Sequence, residues 1–329
     1  MGAPTTMIDA VFLVQPHALL LDLAGPAEAL RLANQALQRR GQPAAFRLHY
    51  VSAQPQATSS VDLPISNLQP LPDTLAPRAW LFLLGRRHPH PGEAPPGFAE
   101  RADQLRTQRW LHKVGSSLLM AGSNGRLVCI CSGALLAADA GLLRAGLRCT
   151  THHELLDELR QRATEADVVD NRVFVIDGAL ASSAGITAGI DLTLHLIQAH
   201  CGDAIAASVA RTMVVYLRRS PQDPELSPML AHRHHLRPAV HRVQDAVCAR
   251  PDGDWSLQRM AAVAHVTPRH LGRLFSEHAG TTPLRYLQAI RLELAERARG
   301  QGTRQAEAAL RAGFSSEQQW RRARRSAGR

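Results

Sequence analysis

Apolar residues follow two different rhythms along this chain of 329 residues. In the front part, short unbroken apolar runs alternate with longer stretches of helical period. Ala10-Val11-Phe12-Leu13-Val14, Phe46 to Val51, Ala79 to Leu84, Leu127 to Ile130 and Arg172 to Ile176 read as strands. Helices are predicted from Gly25 to about Gln38, from Ala134 to Leu143, from Ile190 to Ala199 and from Ala204 to Leu217. Strands apolar on both faces, separated by helices, predict an α/β domain: a parallel sheet covered by helices on both sides.

Beyond Pro221 the strand rhythm stops. Residues 221–238 are rich in Pro and His with no sustained period, and are expected to form a linker. Only helical patterns follow: His241 to Ala249, Ser256 to Phe275, Pro283 to Arg299 and Arg304 to Arg325. Within Ser256 to Phe275 the pattern breaks once, giving helix, tight turn, helix. The second of these helices opens with Thr267 as N-cap and Pro268 at its first position. Leu271, Leu274 and Phe275 define its apolar side, so Arg269, His270 and Arg273 face outward. A helix of this kind can enter a major groove. The expected organisation is therefore 1–220 as the α/β domain, 221–238 as the linker and 239–329 as an all-α double helix-turn-helix domain.

Charge sharpens that division. From His241 to Arg329 there are 16 Arg, no Lys and 8 acidic residues, so this segment carries +8 of the formal +10. A basic module joined to a nearly neutral one suits a polyanionic partner, double-stranded DNA, because Arg neutralises phosphate and releases counterions. The alternative is a solvated basic face.

The five Cys residues (129, 131, 149, 201 and 248) show no metal-knuckle spacing, and their odd number points to reduced thiols. No metal and no cofactor is expected. His88 and His90, in a Pro- and Gly-rich loop, are the only pair considered for a metal, and such pairs seldom bind one. No leader and no apolar window long enough to cross a bilayer is read from the chain, so a cytoplasmic product without a membrane partner is expected.

One strand stops abruptly at Cys131-Ser132-Gly133 before helical character resumes at Ala134. A strand turning sharply into a helix at a Cys has the layout of a nucleophile elbow, where the helix N-terminus favours a thiolate and offers N–H groups to an anion. The competing reading is a small inert thiol buried at a strand end.

The C-terminal segment resembles the AraC/XylS family of bacterial transcription regulators. The residues that carry the resemblance are Ser256 to Phe275, Gly280-Thr281-Thr282-Pro283-Leu284-Arg285-Tyr286, Arg291-Leu292-Glu293 and Ala312-Gly313-Phe314-Ser315-Ser316. The upstream region resembles the PfpI-like, class I glutamine amidotransferase-like domain of one branch of those regulators. That likeness rests on Leu21 to Glu28, Val128 to Ala134, Cys149-Thr150-Thr151-His152, Ser182 to Asp191 and Val214 to Arg219. Three departures stand out. Leu84-Gly85-Arg86-Arg87 keeps one Gly where the family has a Pro-Gly-Gly type loop. Ala308 replaces a core aliphatic, and in the last helix Trp320 and Arg324 occupy aromatic core positions.

These resemblances imply a flavodoxin-like sheet and a transcription regulator that answers to a small effector. They also imply an amino-acid-derived or quaternary-ammonium ligand, although an aromatic content of 4% offers little for a cation cage. The pocket would have no catalytic residue, and its candidate ligand contacts are Asp22, Glu28, Cys131, Ser132 and His152, with Asp22 or Glu28 as the acid beside Cys131. On the DNA side the candidates are Thr267, Arg269, His270 and Arg273 in the first unit. Ser315, Ser316, Gln318, Gln319 and Arg322 are their equivalents in the second. A homodimer is expected, with RNA polymerase as a further partner. The competing classes are a Cys131-dependent hydratase or amidase with a basic tail, and a DNA binder without base preference.

Overall fold

A computed structural model describes residues 7–87, 97–185, 187–215, 221, 232, 235, 237–300 and 302–327. His88, His90, the 216–219 part of the Val214 to Arg219 motif and most of 221–238 lie outside the described residues. The chain splits into two compact units, Met1–Glu225 and Leu226–Arg329.

The first unit contains strands β1 (Ile8–Leu13), β2 (Phe46–Ser52), β3 (Ala57–Thr58), β4 (Pro64–Ile65), β5 (Gln69–Pro70), β6 (Trp80–Leu83), β7 (Arg126–Ile130), β8 (Arg148–Cys149), β9 (Asp167–Val168), β10 (Phe174–Asp177) and β11 (Leu180–Ser183). Its helices are α1 (Leu20–Gln38), α2 (Phe98–Leu118), α3 (Gly133–Asp139), α4 (Leu156–Arg162), α5 (Ala188–Cys201) and α6 (Asp203–Thr212). Seven strands form one sheet in the order β10-β11-β7-β6-β1-β2-β5. Every neighbouring pair is parallel except β10 with β11.

Residues along each strand feed two cores in turn, as the two-residue period of a pleat requires. Phe12, Phe82, Val128 and Ile130 join the core that includes α1, α5 and α6 residues. Val11, Leu13, Leu81, Leu83, Leu127 and Cys129 join the core built with α2, α3 and α4. The predicted parallel sheet with helices on both faces is thus present.

The structure differs from the sequence pattern at two places. Helix α1 starts at Leu20, not at Gly25, and carries Pro26 in its interior. Gly25 is there for packing: a Cβ on it would stand 2.8 Å from Ile190 Cγ1. Strand β11, for which the sequence pattern predicts no element, pairs with β7 beside the site described below.

The second unit is entirely helical: α7 (Pro238–Ala249), α8 (Leu257–Ala264), α9 (Pro268–Ala279), α10 (Pro283–Gly300), α11 (Gln305–Arg311) and α12 (Glu317–Ala327). Side-chain caps set its boundaries. Ser256 Oγ accepts from Arg259 N (3.2 Å), Thr267 Oγ1 from His270 N (3.3 Å) and Thr282 Oγ1 from Arg285 N (3.3 Å). Helix α8 ends at His265 and α9 at Gly280, both left-handed (φ 56° and 62°). One core gathers residues of α7 to α10 and a second gathers the end of α10 with α11 and α12.

Candidate functional site

The elbow in the first unit is built from three strand ends. Strand β7 stops at Ile130, and Cys131 takes a left-handed backbone (φ 53°) before α3 begins at Gly133. For a residue with a Cβ that conformation costs on the order of 1–3 kcal/mol, so surrounding contacts must hold it. They do: Cys131 N donates to Ser183 O at 3.0 Å, and the Thr151 hydroxyl donates to Cys131 O at 2.8 Å. Gly133 allows α3 to press against β6, since a Cβ there would lie 2.1 Å from Leu83 O.

An acid stands beside the thiol. Asp22 is fully buried, and Gly85 N donates to its Oδ2 at 3.0 Å. The point where a Gly85 Cβ would stand is 2.6 Å from Asp22 Oδ2 and 3.0 Å from Cys131 Cβ. The single Gly kept from the family loop is therefore the one that lets the acid and the elbow approach each other. Burial pushes the Asp22 carboxyl up to about 7, against the opposing pull of the Gly85 N–H. Near neutral pH this carboxyl can hold or release a proton. Its Oδ1 and the Ser183 hydroxyl are buried and meet no hydrogen-bond partner among the described residues. Unused polar groups in a buried place are unusual and suit a bound polar molecule.

The candidate ligand residues are not all brought together. Asp22, Cys131 and Ser132 converge on Gly85-Arg86, but Ser132 Oγ is engaged, accepting from Arg86 N at 2.8 Å. Glu28 lies on the exposed face of α1 and pairs with Arg31 at 2.7 Å. His152 is half-buried, accepts from Glu154 N and lies against His153 with the rings tilted and their centroids 4.2 Å apart. Thr151, next to it, makes the contact with the elbow carbonyl. Sequence reasoning missed Gly85, Thr151 and Ser183 as individuals, although the paired Ser182-Ser183 closing an apolar run was a readable signal. Burial pushes the other thiols of this unit out of use, Cys149 and Cys201 up to about 11 and Cys129 further still.

The second unit presents basic helices. Arg269 and Arg273 are exposed on α9, and Arg273 Nη2 lies 3.3 Å from His270 Nδ1. Leu271 and Phe275 on the opposite face are fully buried. Thr267, proposed as a contact, has its hydroxyl committed to the cap.

In the second helix-turn-helix, Ser315, Ser316, Gln318 and Arg322 are exposed. Gln319 is exposed too, but its carbonyl is engaged locally: Oε1 accepts from Ser315 N (2.8 Å) and lies 3.1 Å from Ser315 Oγ. The misfits Ala308, Trp320 and Arg324 also find their places. Ala308 and Trp320 are buried, and the guanidinium carbons of Arg299 and Arg324 sit 5.4 and 5.5 Å from the Trp320 ring centre. Arg324 therefore lies on the aromatic core instead of within it.

Among the described residues, no group of three His, Cys, Asp or Glu could hold a metal ion, and no helix is long and apolar enough to cross a membrane.

Comparison with known proteins yields two family models: DJ-1/PfpI family over residues 96–199 and helix-turn-helix domain over residues 260–327. The HTH-type transcriptional regulator GbdR of Pseudomonas aeruginosa is 31% identical over 170 residues, 51% of this chain and 45% of its own. Isonitrile hydratase of Pseudomonas putida is 39% identical over 98 residues, 29% of this chain and 38% of its own. The chain thus spans less than half the length of each of these two relatives. A crystal structure of a THiJ/PfpI family protein from Pseudomonas syringae superposes with a TM-score of 0.51 at 21% identity, covering 79% of this chain and 91% of that one, and shares the fold.

Proposed function

This chain joins a DJ-1/PfpI domain to an AraC-type helix-turn-helix domain, and from that premise we propose that it is a sequence-specific DNA-binding transcription regulator, an activator, governed by a small effector. In this reading residues 1–220 sense the effector and dimerise, 221–238 link, and 239–329 dock on promoter half-sites. The supporting observation is the capped helix α9, which buries Leu271 and Phe275 and exposes Arg269 and Arg273. That face suits guanine edges or phosphates in a major groove. RNA polymerase is the proposed further partner, and the cytoplasm the proposed location.

The effector is proposed to bind at the elbow. Asp22 Oδ1 and Ser183 Oγ, which meet no hydrogen-bond partner among the described residues, fit a compact polar molecule of the amino-acid-derived class. Effector binding acts on DNA affinity only as far as it favours one arrangement of the two units over another.

The left-handed Cys131 beside Asp22 favours a second reading, a cysteine-dependent hydratase or amidase with a DNA-binding tail. One experiment separates the two: Cys131→Ala compared with the parent for reporter activation and for turnover of isonitriles and small amides. Regulation retained with no turnover in either protein supports the regulator. Turnover by the parent, abolished in Cys131→Ala, overturns the non-enzymatic reading of the pocket.

A further inference from the structure

The two helix-turn-helix lobes have separate cores. Val240, Val243, Phe275, Tyr286 and Ile290 belong to the first, whereas Ala295, Phe314 and Trp320 belong to the second. Both are built on α10, and Leu294 packs against both. Cores this distinct share only α10 and Leu294, so contacts outside them also help to set the angle between the lobes.

Arg291 lies between the two sets, one residue after Ile290 and four before Ala295. Its Nε donates to Pro251 O at 2.8 Å and its Nη2 to Gly253 O at 2.7 Å. Those carbonyls belong to the α7–α8 loop of the first lobe. The loop is itself tied down: Gly253 N and Trp255 Nε1 donate to Arg250 O, and Trp255 N donates to Gly253 O. On the other side lies Gly313, left-handed at φ 91° in the α11–α12 turn of the second lobe. A Cβ on Gly313 would stand 2.6 Å from Asp252 Cα and 2.9 Å from Arg291 Nε. Loop, guanidinium and turn are thus in contact at the place where the second lobe begins its approach to α12.

We propose that Arg291 is a positioning residue that fixes the spacing at which the two lobes engage DNA. This rests on the reading of the second unit as a DNA reader. A planar fork donating to two carbonyls of a rigid loop holds direction as well as distance, which a single ammonium cannot do. The turn resting on it leads into α12, so tilting this contact would swing α12 relative to α9. On duplex DNA each base pair advances the groove by about 3.4 Å, so a small swing changes which half-site separation fits.

The test uses the full chain. Wild-type protein selects duplexes from a random-sequence pool, and dissociation constants are measured for the selected duplex, for versions with one or two base pairs added or removed between half-sites, and for the first half-site alone. Wild type is expected to lose about tenfold or more on each change of spacing, as two linked sites do when geometry forbids joint engagement. Arg291→Gln should bind the single half-site within about twofold of wild type while its preference among spacings flattens to about threefold. Arg291→Lys, which keeps the charge and disturbs folding least, should broaden the profile partially.

An unchanged spacing profile in Arg291→Gln, or in Arg291→Lys where the Gln variant fails to fold, overturns the proposal. Equal losses on the single and the double site also overturn it, because they place the effect inside the first lobe. Should wild type select no duplex at all, the DNA-reading function falls, and this inference with it.

Discussion

The elbow and the reader use polar groups in opposite ways. Around Cys131 the polar atoms are buried, the backbone is forced into a left-handed turn, and glycines mark where other atoms press in. Around Arg273 the polar groups face solvent, the helix is regular, and Gly272 in the same helix has open space where a Cβ would go. A crowded, buried site suits a small molecule whose few contacts must each count. An open basic face suits a long polyanion met at many points. In the proposed function, that difference would make the elbow sensitive to shape and the basic helix face sensitive to charge.

The largest expected effect attacks the elbow by shape. Gly133→Ala would drive a methyl to within 2.1 Å of Leu83 O, a backbone atom that cannot step aside. We expect at least ~3 kcal/mol of destabilisation of the first unit, at the upper end of overpacking costs, seen as a lowered melting temperature. A melt within 1 °C of the parent would show that the crowding at the elbow is illusory.

Next in size is a test by proton linkage. Burial pushes the Asp22 carboxyl up to about 7 from its ordinary value of 3.8, so the folded state binds more protons than the unfolded state between those values. Its contribution to stability is then greatest at low pH, falls as pH rises from about 4 to about 7, and is flat above. Asp22→Asn, which can keep an acceptor for Gly85 N, should remove that slope and raise stability near pH 8 by a few kcal/mol. Melting temperatures of both proteins across pH 5 to 8 check this, and parallel curves would mean that Asp22 is not held in a dry place.

Arg273→Ala sharpens the comparison from the reader's side. It should leave stability nearly untouched and cost about 1–3 kcal/mol of DNA affinity, with relaxed preference at one base position if it reads a guanine. A uniform loss across sequences with a reduced salt slope would assign it to phosphate instead.

The smallest effect has the opposite sign. Gly272→Ala in α9 meets nothing within 4 Å and should stabilise the second unit by about 0.5–1 kcal/mol through helix propensity. Calorimetry that shows destabilisation there would mean that the reader is as crowded as the elbow.

Legibility in the sequence divided along the same line. Thr267 and Pro268 announced the start of α9 because capping is local: the acceptor and the N–H it serves lie three residues apart. The sheet was readable because alternate residues of β1, β6 and β7 go to opposite cores, leaving each run wholly apolar. The start of α1 was misread because Gly25-Pro26 looks like a helix opening, whereas the reason for Gly25 is Ile190, far along the chain. The choice between Asp22 and Glu28 was unreadable for a like reason. Both lie on α1, and only the fold brings the Gly85 loop against one of them. Arg324 looked like an error in a core position until the Trp320 ring beneath it was seen, a contact invisible to any pattern of single residues.

The outer strand of the sheet has one further effect on how copies of this chain can meet. At β5 the exposed margin ends in Pro70, which has no N–H to offer an incoming strand. At the opposite margin the Asp177 carboxylate of β10 is occupied by the backbone N–H of Arg148, which brings β8 alongside. Both features reduce the room for an added strand where they stand, one by lacking a donor and the other by having its carboxylate engaged.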